Sequence, residues 1–264
     1  MKTFEFNLNH YISFDGTNSL KNQIKRDPLL FSKIDTIKKV IKKPSSKCMY
    51  AKFSYNKNNL KRADLDNILL YNLHINKLDE LENVSLEKVE SDREDFGYEF
   101  SFDDYYVAPI RNTILTFKYL PFGDSFTKKG FDKTKNLYRH FRWTLLSEHL
   151  LTKQKYDPTK KYGLNIVYLG NTKITEEGFL KPIIDAFISA LHKFSYSSTK
   201  GIEDLVGNFE NVKDEYFMEN INGGDLITKA KRFNPMDEML SMIQVSHRKT
   251  KKDDEIMVFE LFEY

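Results

Sequence analysis

Two aspartates around one leucine, Asp64 and Asp66, stand with Asn67 at the head of an apolar run in KRADLDNILLYNL. In an extended segment, residues two apart point the same way. The two carboxylates would then converge, and they repel unless a cation or a proton sits between them. Mg²⁺ or Mn²⁺ takes such hard oxygen ligands and keeps positions open for water and phosphate. At the start of a helix the same carboxylates have a plainer use, accepting orphan N–H groups and complementing the helix dipole. The residues alone leave both readings open. Further acids follow in ESDREDFGYEF, where Asp92, Glu94 and Asp95 precede a strand-like run. Glu94 and Asp95 could complete a metal cluster, or they could form a solvated acidic turn.

Cations that could meet phosphate fall in several clusters. Arg139 and Arg142 interleave with aromatics in YRHFRW, Lys160 and Lys161 lie in KYDPTKKY, and Arg248 and Lys249 lie in SHRKTKKDD. Basic patches contact phosphates and aromatics stack on unpaired bases. The same residues also read as solvated lysines and a core tryptophan. Lys181 and Asp185 fall one turn apart on a helix that Pro182 places near its start. The six histidines show no metal-ligand spacing. Phosphate-cradling glycine loops and the Gly-x-Ser-x-Gly elbow are absent from the sequence.

The elements that must position these groups repeat along the chain. In the first half, DPLLFSKIDTIKKVIKKP reads as an amphipathic helix, CMYAKFSY as a strand and ADLDNILLYNLHINKL as a helix. DFGYEFSFDDYYVAP and RNTILTFKYLPF follow as strand-like runs. In the second half, a helix over YRHFRWTLLSEHLLTKQKYDP precedes the strand YGLNIVYLG and the helix ITEEGFLKPIIDAFISALHKF. MDEMLSMIQVSHRKT and DEIMVFELFEY close it as strands. Each half reads helix-strand-helix-strand-strand, and the alternating MKTFEFNLNHYISFDG adds one strand at the N-terminus. The expectation is an α+β protein of two units, 1–122 and 135–264, with an insertion at about 195–233.

The pieces of motif resemble the RusA-like family of Holliday-junction resolvases, whose pattern is D-x-D-N-x-x-K-x-x-x-D-A-L. Asp64, Asp66 and Asn67 match its opening, with Leu70 and His74 where the pattern has Lys and Asp. FLKPIIDAFISAL looks like the remainder, through Lys181 and Asp185. The family's later acidic pair has counterparts in Glu94 and Asp95, and in Asp237 and Glu238. The resemblance implies two diverged RusA-like units in tandem, a pseudo-dimer within one chain. It implies that Asp64, Asp66, Glu94 and Asp95 hold Mg²⁺ or Mn²⁺. It also implies catalysis by Asp64, Asp66 and Asp95, with Lys181 supplying the cation if the halves pack together.

Composition sets outer limits. With 40% hydrophobic and 30% charged residues, the chain reads as globular. A net charge of +3 neither demands nor excludes nucleic acid, so any basic surface must come from clustering. The lone Cys48 rules out an internal disulfide and a cysteine zinc site. Without a signal-peptide pattern or a membrane-length apolar run, a cytoplasmic protein is expected. The expected function is structure-selective nucleic-acid binding, with branched DNA as partner and metal-dependent phosphodiester cleavage. The alternative is an inactive nucleic-acid- or protein-binding module from a phage or defence system.

Overall fold

In CMYAKFSY, Met49, Ala51 and Phe53 are buried while Tyr50, Lys52 and Ser54 between them are half-buried. That period of two makes a strand with one face in the core. The computed structural model describes residues 2–12, 19–42, 46–60, 64–69, 81–103, 112–119, 160–170, 184, 187, 240–250 and 256–264. In chain order these form β1 (Lys2–Leu8), α1 (Leu20–Arg26), α2 (Pro28–Lys42), β2 (Cys48–Tyr55) and α3 (Leu65–Leu69). β3 (Asn83–Glu90), β4 (Phe96–Asp103), β5 (Asn112–Tyr119), β6 (Tyr162–Leu169), β7 (Leu240–Arg248) and β8 (Ile256–Glu263) follow. The protein is α+β, with helices on an eight-stranded mixed sheet of order β1-β4-β2-β3-β7-β6-β8-β5.

α2 forms where the sequence places apolar residues at helical spacing. Leu30, Ile34 and Ile37 are buried against the sheet. Asp27 caps it, with Oδ1 accepting the Leu29 N–H at 3.0 Å, and Pro28 takes the first helical position, where no N–H is needed. β3 lies outside the expected strands. Its sequence, NVSLEKVE, alternates only weakly, with Glu87, Lys88 and Glu90 crowded into its second half. It becomes a strand because it pairs parallel with β2 and antiparallel with β7 at the centre of the sheet. β5, expected beside the first-half strands, instead pairs antiparallel with β8 at the far edge.

Strand order and direction match on the two sides of the β3·β7 pair. β2 runs parallel to β3 as β6 does to β7, and β4 pairs antiparallel with β2 as β8 does with β6. β1 closes one edge on β4, and β5 closes the other on β8. The register matches as well. Ala51 lies between Leu86 and Phe100, and Ile166 lies between Val245 and Phe259. Met49 with Val84 and Phe102 has its counterpart in Leu164 with Ile243 and Leu261. Phe53 with Lys88 and Tyr98 has its counterpart in Tyr168 with His247 and Met257. The pair Ser85 and Gln244 is carried onto itself, so the local twofold passes through it.

One hydrophobic core runs under both sides. It includes Phe6, Phe100, Phe53 and Leu86 in the first half and Val245, Ile166 and Phe259 in the second. Leu65, Ile68 and Leu69 of α3 enter it from one side, and the helical Ile184 and Phe187 enter it from the other. Phe187 stacks on Phe259 with ring centroids 5.0 Å apart. Among the described residues, no helix is long and apolar enough to cross a membrane.

Candidate functional site

β2 and β3 run parallel, so their carboxyl ends, Tyr55 and Glu90, lie side by side. The chain leaves β2 there and enters α3, which packs against β2, β3 and β7. Asp64 is the residue before α3, and its carbonyl accepts the first helical bond from the Ile68 N–H at 3.0 Å. This is the cap position that the plainer reading requires. Its side chain is not splayed into solvent, because Oδ1 is buried. Asp66 is the second residue of α3, and its side chain lies outside the described part of the structure.

The turn carrying Asp92, Glu94 and Asp95 reaches the same end of the sheet. Ser91 N–H donates to the Tyr55 carbonyl at 2.9 Å, and Asn59 Nδ2 donates to the Glu94 carbonyl at 2.9 Å. Asp95 already has a strong partner. Arg93 grips it with Nε to Oδ1 at 2.8 Å and Nη2 to Oδ2 at 2.9 Å. Such a two-pronged pair occupies both carboxylate oxygens. The Glu94 side chain is exposed. Among the described residues, no three His, Cys, Asp or Glu side chains come together as a metal cluster.

The turn sits beside a charge cluster that the sequence reading missed. Glu90 is approached by Lys161 Nζ at 3.0 Å and by Lys57 Nζ at 4.0 Å. The Lys161 ammonium, aided by the charges of Lys57 and Lys88, holds the Glu90 carboxyl below the usual carboxylate range. Lys88 is only 7% exposed and stands beside Phe53 on the helix-covered face. A buried lysine needs a nearby negative charge to remain protonated. Tyr55 stacks on Phe53 at 5.6 Å, and burial, then the Glu90 charge, pushes its phenol upward. The cluster thus sets the ammonium groups of Lys161 and Lys57 at one carboxylate, with the charge of Lys88 acting on it as well. Lys161 comes from the second half, so the cation that the sequence reading sought from Lys181 has a counterpart from another residue. Lys181 itself lies outside the described residues, as do Asp185, Asp237 and Glu238.

The counterpart in the second half is chemically different. Where Lys88 stands, β7 has His247, and the register places Lys249 where Glu90 would be. His247 is buried, stacks on Tyr168 with centroids 5.1 Å apart, and Nε2–H donates to the Gly170 carbonyl at 3.2 Å. It locks a turn, and the carboxylate is gone.

The remaining expected phosphate-contacting residues divide. Arg139 and Arg142 lie outside the described residues. Lys160 is ion-paired with Glu263, and Arg248 with Glu82 at 3.3 Å. Glu82 also takes Lys47 at 2.5 Å, so one carboxylate is shared there by two cations. Lys249 is exposed. No family model, no curated protein and no solved structure matches this chain.

Proposed function

We propose that the chain is a tandem RusA-like protein that binds nucleic acid and cleaves phosphodiesters with a divalent metal, whose ligands come from its first half alone. The observation that carries this reading is the Glu90, Lys57 and Lys161 cluster at the carboxyl end of β3, beside the end of β2 from which the chain runs on to Asp64 at the start of α3. Ligands of parallel strands gather at that end. The matched strand order on the two sides of β3·β7 supports the tandem reading.

The donor chemistry fits a hard cation, for Asp64 and Asp66 offer carboxylate oxygens only. These two would hold Mg²⁺ or Mn²⁺, with Glu94 free to assist, while Asp95 is committed to Arg93. The ion, when bound, makes water acidic and offsets phosphate charge. The chain's own part is electrostatic. Lys57 and Lys161 present ammonium groups to the phosphate, and Glu90 keeps both over the site.

The second reading is a nucleic-acid-binding module without cleavage. Leu70 in place of the family lysine favours it, as does the loss of the Glu90 equivalent in the second half. A cleavage assay on labelled four-way junction, fork, duplex and single-stranded DNA separates the two. Cleavage is expected with Mg²⁺ or Mn²⁺, with none in EDTA. Asp64→Asn/Asp66→Asn should lower the rate more than about a hundredfold, beyond the effect of losing an outer-shell partner of a metal. Tight binding without cutting in every metal would leave the module reading, and no binding at low salt would sink both.

A further inference from the structure

The cations of the sheet and the cations of the helical corner are treated differently. On the sheet and its turns, Lys47, Lys52, Lys57, Arg93, Lys160, Lys161 and Arg248 each face a carboxylate. On α1 and the start of α2, Lys21, Lys25, Arg26 and Lys33 are exposed, and none has an ion-pair partner among the described residues. The local charge is large. Residues 20–42 hold seven basic and two acidic side chains, a net of +5 against +3 for the whole chain, so everything else sums to −2. One of those acids, Asp35, is spent on Lys39 at 2.6 Å, and the other, Asp27, caps α2.

Two apolar side chains interrupt this basic surface. Leu29 is 75% exposed and Phe31 is 57% exposed at the α1–α2 corner. A bare aromatic flanked by unpaired cations suits a strand whose phosphates meet the lysines and whose unpaired base stacks on the ring. It does not suit a membrane surface. An interfacial helix must offer its apolar stripe outward, and the stripe of α2, Leu30, Ile34 and Ile37, is spent on the core. β1 leaves the sheet at Leu8 opposite Phe96, beside the turn of the candidate site, and the chain goes on from there to α1.

We infer that the α1–α2 corner is a binding surface for single-stranded nucleic acid, with Lys21, Lys25, Arg26 and Lys33 on the phosphates and Phe31 under a base. The inference rests on the nucleic-acid reading above and adds to it where the strand lies and which form it takes.

The test is fluorescence anisotropy with a labelled thirty-mer, single-stranded or duplex, across a salt series. It compares wild type, Lys21→Gln/Lys25→Gln/Arg26→Gln/Lys33→Gln, Phe31→Ala, and the distant exposed-charge control Lys118→Gln. Circular dichroism and melting check that each variant is folded. The fourfold variant should lose about 3 units of the log–log salt slope on single strands, at roughly 0.7 per phosphate contact. Phe31→Ala should weaken single-strand binding about tenfold and duplex binding little. Wild-type-like binding by the fourfold variant would overturn the corner while leaving nucleic-acid binding in place. Failure of the wild type to bind either probe at low salt would overturn both. If phosphatidylglycerol vesicles, and not the DNA probes, lose binding in the fourfold variant, the surface is a membrane-facing one and the inference is wrong.

Discussion

Glu90 is the residue on which the candidate site turns. Three ammonium groups act on it, and Lys161, at 3.0 Å, dominates. Its folded-state pKa is lowered, so its stabilising effect is complete above the ordinary carboxylate value of 4.5 and is lost as pH falls through the depressed one. Glu90→Gln should therefore melt below wild type by a constant margin near neutral pH. The margin should close as pH drops under the ordinary value. Melting curves from pH 7 to pH 3 would check this, and a margin that persists to the acid end would remove Lys161 as the cause. The residue was not legible in the sequence. LEKVES reads as a charged run, and only the parallel pairing of β3 with β2 brings Glu90 beside Tyr55 and across to Lys161. Asp64 was legible as a helix start because its side-chain type and the apolar run after it carry that signal locally. Asp95 was legible as an acid before a strand. Its capture by Arg93 was hidden, although the two are only two residues apart, because spacing does not say which rotamers meet.

Among the elements, α2 was the most readable, since cap, proline and periodicity all agree along one stretch of chain. Its cap gives a direct test. Asp27→Ala leaves the first N–H groups of α2 without their side-chain acceptor and should cost about 1 kcal/mol, within a range of roughly 0.5–2. Urea denaturation would measure it, and a change under a few tenths would mean that Pro28 and the corner hold the helix start without the cap. The strands divide by their surroundings. β2 and β4 alternate cleanly because one face is buried and the other is half-buried. β3 was missed because pairing on both sides, and not side-chain pattern, makes it a strand. β5 was seen as a strand, but its neighbour was not, because a run such as NTILTFKY fits an edge of either half equally well. Gly163 is an opposite case, where a small residue has a long-range reason. A Cβ there would strike the Phe262 ring, which lies over it.

At the scale of the molecule, the sheet has a local twofold through Ser85 and Gln244 that makes β3 the counterpart of β7 and β4 that of β8, whereas the repeat read in the sequence made β4 the counterpart of β7 and β5 that of β8. Those two side chains are buried and bond to each other, Gln244 Nε2 to Ser85 Oγ at 3.5 Å. The halves are thus joined by a strand pair, and they share one core in place of a polar seam. Links across the middle reinforce this, with Tyr264 donating to Glu87 and Lys161 paired to Glu90. Two halves so joined should unfold together. Phe53 and Phe259 are both fully buried, one in each half. Removing either ring should cost about 3–5 kcal/mol. In a divided molecule, Phe53→Ala would lower one melting transition and leave the other in place. In a continuous one, Phe53→Ala and Phe259→Ala should each lower the same single transition, with calorimetric and van't Hoff enthalpies in agreement. Two resolved transitions, each answering to one mutation, would mean that the strand pair at the centre holds the halves in contact without coupling them. Lys161 would then reach Glu90 across a joint that opens, and the candidate site would depend on the docking of the halves as well as on their folding.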